Sequence, residues 1–197
     1  MERKMQASNY TVKNIVITAL VMALICVATM IIKIPVPMTE GYVHLGDAMI
    51  FLGVLILGKN QGALAAGVGS ALGDLIGGYP AWIPWTLGIK FIMAFLMGLV
   101  IEKSISKQAF IKIFAMIIGG IEMVAGYYLA ASIMYSNWIV PIGSIPWNIG
   151  QFVMGIILAV LLAAMLENTP IGAQMKYRIG FTFKNHSTGS STDSRTN

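Results

Sequence analysis

The chain has 197 residues, of which 57% are hydrophobic and only 11% are charged. Soluble domains are about 45–50% apolar and about 25% charged. The run from Met123 to Leu166 contains no Asp, Glu, Lys or Arg, and it is long enough for two spanning helices of about 20 residues each. The composition therefore indicates an integral membrane protein. It excludes a soluble enzyme, a disulfide-rich secreted protein and a protein with a nucleic-acid partner.

Glycine, proline and charged residues divide the chain into six apolar segments, which predict an all-α membrane protein with six transmembrane helices. The predicted helices occupy residues 14–34, 47–58, 61–77, 84–102, 112–135 and 146–167. A single membrane domain is therefore expected over residues 1–184. The Ser/Thr-rich residues 185–197 are expected to form a disordered cytoplasmic tail.

The placement of lysine and arginine predicts the orientation of these helices. All of these residues except Lys33 and Lys90 lie before the first helix, after the sixth, or in the second-to-third and fourth-to-fifth connections. Short cytoplasmic loops are enriched in Lys and Arg. Both termini are therefore expected in the cytoplasm, with the protein crossing the cell membrane several times.

With this orientation, polar and aromatic side chains gather in the outer half of the bilayer, as a pocket open to the outside requires. The candidate substrate-binding residues are Glu40, His44, Asp47, Trp82, Trp85, Lys90, Glu122, Tyr127, Asn148 and Gln151. Asn148 and Gln151 share one face of a helix, and amides, which both donate and accept hydrogen bonds, suit a small polar heterocycle. Tyr127 is suited to stacking against a flat ligand.

Several of these residues have a structural alternative. The tryptophans are typical of the aromatic belt at a membrane interface, Asp47 could cap the second helix, and Lys90 could pair with Asp74. Glu122 lies at mid-membrane, where a carboxylate could contact a ligand, relay protons or bond to a neighbouring helix. The residue types alone leave these alternatives open.

The third helix also carries Ala65, Gly69, Gly73 and Gly77 at intervals of four. Small residues at this spacing allow two helices to approach closely. This ridge predicts packing inside the protein.

Five ordered motifs are distributed over helices two to six. They are His44-Leu45-Gly46-Asp47, Gly69-Ser70-Ala71-Leu72-Gly73-Asp74, Pro84-Trp85-Thr86-Leu87 with Lys90, Gly126-Tyr127-Tyr128-Leu129-Ala130, and Ile145-Pro146-Trp147-Asn148 with Gln151. Together they resemble the substrate-binding (S) components of energy-coupling factor (ECF) vitamin transporters. The resemblance extends over about residues 14–167 and is strongest to the hydroxymethylpyrimidine/pyridoxine-type and riboflavin-type groups.

This resemblance implies a subunit that is not an enzyme and that captures a water-soluble vitamin or precursor without a cofactor or a metal. It implies a membrane coupling (T) component and two cytoplasmic ATPase subunits as partners. Ala19 and Ala23 match the A-x-x-x-A motif through which the first helix of the family docks on the T component. The implied substrate is hydroxymethylpyrimidine or a pyridoxine-like compound, with riboflavin as the alternative.

Two other classes of function compete with this interpretation. The first is a stand-alone secondary carrier with Glu122 as a proton relay, although many carriers are built from internal repeats and none is visible here. The second is an intramembrane enzyme, which the lack of a paired nucleophile and base disfavours.

Overall fold

The computed structural model describes residues 2–36, 41–104 and 108–180, with side chains described from residue 12 onward. In these ranges the chain forms six α-helices and one pair of short strands. The elements are α1 (Glu2–Ile31), β1 (Lys33–Pro35), β2 (Tyr42–His44), α2 (Gly46–Leu57), α3 (Lys59–Gly77), α4 (Ile83–Lys103), α5 (Ala109–Met134) and α6 (Ile145–Leu166). Glu40 and the predicted tail lie outside the described residues.

The helices confirm a mostly helical membrane protein. Within the described ranges, four segments are long and apolar enough to cross a bilayer: Val12–Ile31, Pro80–Lys103, Ala109–Met134 and Val140–Leu166. By contrast α2 has only 12 residues, or about 18 Å of helix, against a hydrocarbon layer of about 30 Å. That α2 and α3 also cross the membrane stays a prediction.

The prediction that the first helix runs from residue 14 to residue 34 was wrong at both ends. The helix begins at Glu2, because the polar residues before Asn14 include no proline or glycine to stop it. It ends at Ile31, because Lys33–Pro35 pairs antiparallel with Tyr42–His44. The resulting β-hairpin connects α1 to α2.

The shortest helix is the most central. It contacts α1, α3, α4 and α6, and nearly all of its residues are buried. Next to it, α3 packs on α1 through the predicted small-residue ridge. A Cβ atom on Gly69 would lie 2.7 Å from the Met22 carbonyl oxygen, and one on Gly73 would lie 2.8 Å from a Thr29 methyl group. These glycines therefore allow the backbone of α3 to approach α1 closely.

Residues 172–180, the C-terminal strap, fold back beneath α2. The backbone N–H groups of Lys176 and Tyr177 donate to the carbonyls of Ile56 at 3.2 Å and Leu55 at 2.8 Å. These carbonyls belong to the last turn of α2, where a helix offers no internal donor. The Tyr177 hydroxyl also donates to Glu102 at 2.6 Å. The strap therefore closes the end of α2 that lies opposite the β-hairpin.

Candidate functional site

A pocket lies between the β-hairpin and the adjoining ends of α3, α4, α5 and α6. The lining side chains leave an enclosed cavity of only about 40 Å³, against about 300–1,000 Å³ for small-molecule sites. The lining residues are Val36, Gly41, Tyr42, His44, Asp74, Trp82, Thr86, Tyr127, Ala131, Ser144, Asn148 and Gln151. The pocket therefore combines aromatic rings with groups that donate and accept hydrogen bonds.

Two buried polar atoms in the pocket wall make no close hydrogen bond among the described residues: Nε1 of Trp82, and Oδ2 of Asp74, whose carboxylate lies beside the Thr86 hydroxyl. The other carboxylate oxygen of Asp74 accepts a hydrogen bond from the Tyr42 hydroxyl at 2.7 Å. Buried polar groups nearly always have partners. Since an indole N–H only donates and a carboxylate only accepts, the wall is complementary to a ligand that offers both an acceptor and a donor.

Aromatic rings border the pocket on two sides. On the hairpin side, Tyr42 packs on Tyr79 with ring centroids 4.4 Å apart, and Lys33 Nζ lies 4.8 Å from the centroid of the Tyr42 ring. On the helix side, the rings of Trp82 and Tyr127 are 5.8 Å apart. Burial, followed by the nearby Asp74 carboxylate, raises the pKa of the Tyr42 hydroxyl, so this group remains a donor at neutral pH.

A buried network of Lys90, Asp47, Gln151 and His44 lies next to the pocket and joins four elements. Lys90 and Asp47 form an ion pair in which both side chains are 0% exposed. Gln151 Nε2 donates to Asp47 Oδ2 at 2.9 Å, and Gln151 Oε1 accepts from the backbone N–H of His44 at 2.8 Å. The network thus links α4, α2, α6 and β2. The alternative that Asp47 caps the second helix was wrong, because the N-cap residue of α2 is Leu45 and no side chain caps it. Asp47 instead contacts side chains that are distant in the sequence.

His44 is buried between the hairpin and the start of α2. Its Nδ1 atom accepts a hydrogen bond from the backbone N–H of Gly46 at 2.9 Å. Burial, and then the positive charge of Lys90, lowers the pKa of His44 to about 3. The imidazole is therefore neutral at pH 7, and its proton resides on Nε2.

The structure brings together about half of the residues that the sequence predicted for the site. His44, Trp82, Tyr127, Asn148 and Gln151 line the pocket. Asp47 and Lys90 lie in the buried network, so the pairing of Lys90 with Asp74 that the sequence allowed is not the one observed. Trp85 packs against the core, and neither it nor Glu122 lines the pocket.

Seven lining residues were missing from the predicted substrate contacts, and four of them have polar side chains: Tyr42, Asp74, Thr86 and Ser144. Three of these four had a positional signal relative to a residue that was predicted. Tyr42 lies two residues before His44, on the same face of a strand. Thr86 and Ser144 each precede a predicted residue by four positions on one helix face.

The helices define the class of this protein as a multi-pass membrane protein, and its pocket is lined by polar and aromatic side chains. The family model described as the S component of the ECF-type riboflavin transporter matches residues 9–168. The chain belongs to this family, which confirms the resemblance drawn from the motifs. The family is a transporter component and not an enzyme. Its members bind vitamin substrates and work with a T component and ATPases.

Two relatives cover most of the chain. A protein of Pyrococcus woesei, described as an uncharacterized protein in the gap 3′ region, is 35% identical over 156 residues, which are 79% of this chain and 97% of the relative. The thiamine precursor transporter HmpT of Lactococcus lactis subsp. cremoris (strain MG1363) is 27% identical over 164 residues, which are 83% of this chain and 93% of HmpT.

Proposed function

We propose that the chain is the substrate-binding subunit of an ATP-driven ECF importer and that it captures a hydroxymethylpyrimidine or a pyridoxine-like compound. The observation that carries this proposal is the pair of atoms in the pocket wall that make no close hydrogen bond among the described residues, Trp82 Nε1 and Asp74 Oδ2. A hydroxymethylpyrimidine has ring nitrogens that accept a hydrogen bond and an amino group that donates one. The similarity to HmpT, which is described as a thiamine precursor transporter, supports the same class of substrate.

The shape of the pocket favours a single ring. Aromatic side chains on two sides suit one flat heterocycle. The enclosed cavity of about 40 Å³ is smaller than a small-molecule site, so the hairpin must move outward to admit a ligand. Riboflavin is the alternative substrate, because the matching family model is described by that vitamin. The tricyclic ring and sugar-derived chain of riboflavin would require a larger movement than a single ring.

The charge distribution supports a pocket that opens to the outside. The end of the molecule opposite the pocket contains Lys59, Lys103, Lys112, Lys176 and Arg178. Positive residues mark the cytoplasmic side. With six membrane crossings, both termini would lie on that side.

The exposed face of α1 supports docking on a T component. Ala19 and Ala23 are exposed, and the apolar side chains beside them, Val16, Leu20 and Val27, are at least half exposed. Two small residues one turn apart create a shallow groove that another helix can enter. We assign this face to the T component, and the energy for transport to two ATPase subunits.

Calorimetric titration of the purified protein in nanodiscs with hydroxymethylpyrimidine, pyridoxine and riboflavin tests the substrate. Trp82→Phe keeps an aromatic ring but removes the donor, so the affinity should fall by about tenfold, the value of one buried hydrogen bond. Trp138→Phe, at an exposed tryptophan outside the pocket, is the control and should leave the affinity unchanged. Binding of riboflavin alone would select the alternative, and binding of none of the three compounds would refute both.

Co-purification and uptake assays test the partner assignment. Ala23→Trp should abolish assembly with the T component and uptake while sparing ligand binding, whereas Leu161→Trp, on the exposed face of α6, should leave all three intact. Uptake by the chain alone in liposomes, driven by a pH gradient and lost in Glu122→Gln, would instead support the stand-alone carrier.

A further inference from the structure

We infer that Gln151 is a positioning residue. It holds the β-hairpin in place as one wall of the pocket, and the Asp47–Lys90 ion pair in turn orients Gln151. The sequence placed Gln151 among the substrate contacts. The inference rests on the proposed function only in taking the pocket as the ligand site. The hydrogen bonds that support it are all made within the chain.

The partners of Gln151 determine how its amide is oriented. The Asp47 carboxylate can only accept a hydrogen bond, so the amide nitrogen must face it. The backbone N–H of His44 can only donate, so the amide oxygen must face β2. These two contacts, at 2.9 Å and 2.8 Å, are possible in only one orientation of the side chain. The amide is therefore a bridge between α2 and the hairpin.

The ion pair determines which carboxylate oxygen of Asp47 binds Gln151. Lys90 binds Oδ1 of Asp47, which leaves Oδ2 facing Gln151. Because Asp47 is charged, its bond to the amide is stronger than a bond between neutral groups. Lys90 thus acts on Gln151 through Asp47, and Gln151 acts on the strand that carries Tyr42 and His44. Both of these strand residues line the pocket.

Asn148 provides a matched comparison on the same helix face. Its amide nitrogen donates to the carbonyl of Ser144 at 3.2 Å, which is a contact within its own helical segment. Asn148 is buried to the same degree as Gln151 and lines the same pocket. Unlike Gln151, it makes no side-chain hydrogen bond to the described residues of the hairpin.

Hydrogen exchange of the ligand-free protein in nanodiscs tests the inference, with mass spectrometry of the peptide that contains His44. In Gln151→Ala, the His44 N–H loses its acceptor, and its exchange should accelerate by about tenfold or more. In Asn148→Ala, exchange of the same peptide should stay unchanged. Unchanged exchange in Gln151→Ala, or equal acceleration in both variants, would overturn the inference.

The second test swaps the amide and the carboxylate between positions 151 and 47. It also serves if Gln151→Ala does not fold. Gln151→Glu alone brings two carboxylates together, and Asp47→Asn alone leaves Lys90 without its counter-ion. The double variant restores one amide facing one carboxylate beside Lys90. We expect each single variant to exchange rapidly at His44 and the double variant to recover most of the protection. A double variant no slower than the singles would refute the positioning role, since side-chain volume hardly changes in the series.

These measurements require no ligand. Failure of the hairpin test would leave the substrate titration of the unmodified protein unaffected. Failure of the titration would not change the exchange results. The two proposals are therefore tested separately.

Discussion

The buried Asp47–Lys90 ion pair leads to a quantitative prediction for stability. Lys90→Met replaces the cation with an apolar side chain of similar length and leaves the Asp47 carboxylate uncompensated. Both side chains are 0% exposed, and breaking a buried pair by removing one partner costs about 3–5 kcal/mol. Because Gln151 still donates to Asp47 at 2.9 Å, we expect a loss near the lower bound, about 3 kcal/mol.

The complementary substitution, Asp47→Asn, removes the Asp47 carboxylate and leaves the Lys90 ammonium. In Asp47→Asn, Lys90 keeps the Met123 sulfur at 2.9 Å and the Tyr127 ring at 5.3 Å. Neither group neutralises a full charge, so the expected loss is again about 3 kcal/mol. The double variant that combines Lys90→Met with Asp47→Asn buries no net charge. It should be more stable than either single variant, since replacement of a buried pair by uncharged groups is often neutral.

Denaturant unfolding in detergent micelles, followed by circular dichroism, measures this thermodynamic cycle. The control is Lys59→Met, at an ion pair with Glu102 of 2.8 Å whose side chains are 20% and 32% exposed. A pair that water reaches contributes about 0.2–1 kcal/mol, so this variant should remain close to the unmodified protein. Equal destabilisation in Lys90→Met and Lys59→Met, or strictly additive losses in the double variant, would refute the reasoning from uncompensated charge.

Three further predictions concern the hairpin, the strap and the helix contacts. The pKa of His44 is about 3 in the fold against 6.5 in the unfolded chain, so only the unfolded state takes up this proton as the pH falls below 6.5. Between pH 7 and pH 5 this difference should cost about 2 kcal/mol, and the loss should be absent in His44→Gln when both are followed by thermal unfolding. Tyr177→Phe removes the 2.6 Å hydrogen bond to Glu102. It should accelerate hydrogen exchange in the peptide containing Lys176, whose N–H binds α2. Unchanged exchange would contradict a role of Tyr177 in holding the strap against α2. Gly69→Ala should lower the melting temperature, since its Cβ would meet the Met22 carbonyl at 2.7 Å, whereas Gly88→Ala, where nothing lies within 4 Å, should keep or raise it.

The helices could be predicted from the sequence because their signals are local. Charged residues, glycines and prolines interrupt apolar runs where helices end, and segments two to six are found within a few residues of their predicted bounds. The β-hairpin could not be predicted in the same way. Each strand has three residues, too few for a periodic pattern to develop.

The sequence predicted which residues lie near the site, but not which of them contact one another. The depth of a residue in the membrane follows from its position along a helix. This information was enough to identify five of the lining residues. Partners depend on how helices rotate and cross, which no local signal contains. The sequence offered Asp74 as the partner of Lys90, but the packing of α2 against α4 pairs Lys90 with Asp47. Asp74 instead accepts from Tyr42 on the hairpin.

The strap had a sequence signal that the composition of its surroundings concealed. Met175, Tyr177 and Ile179 are buried and alternate with exposed Lys176 and Arg178. This period of two is typical of an extended segment with one buried face. The sequence analysis placed this segment within the membrane domain, residues 1–184, but assigned it no secondary structure.

The central position of α2 explains why this helix can be short. Other helices surround it, so lipid thickness does not determine its length. Its two ends are fixed by different means: the ion pair and Gln151 hold the end at Asp47, and two backbone hydrogen bonds from the strap hold the carbonyls of Leu55 and Ile56. No residue of α2 lines the pocket among the described residues, so a helix fixed at both ends acts on the pocket through Asp47 and Gln151. In the hydrogen bonds described, Gln151 is the side chain that joins Asp47 of α2 to the hairpin strand. If the pocket takes a ligand, we therefore expect the hairpin, and not α2, to move.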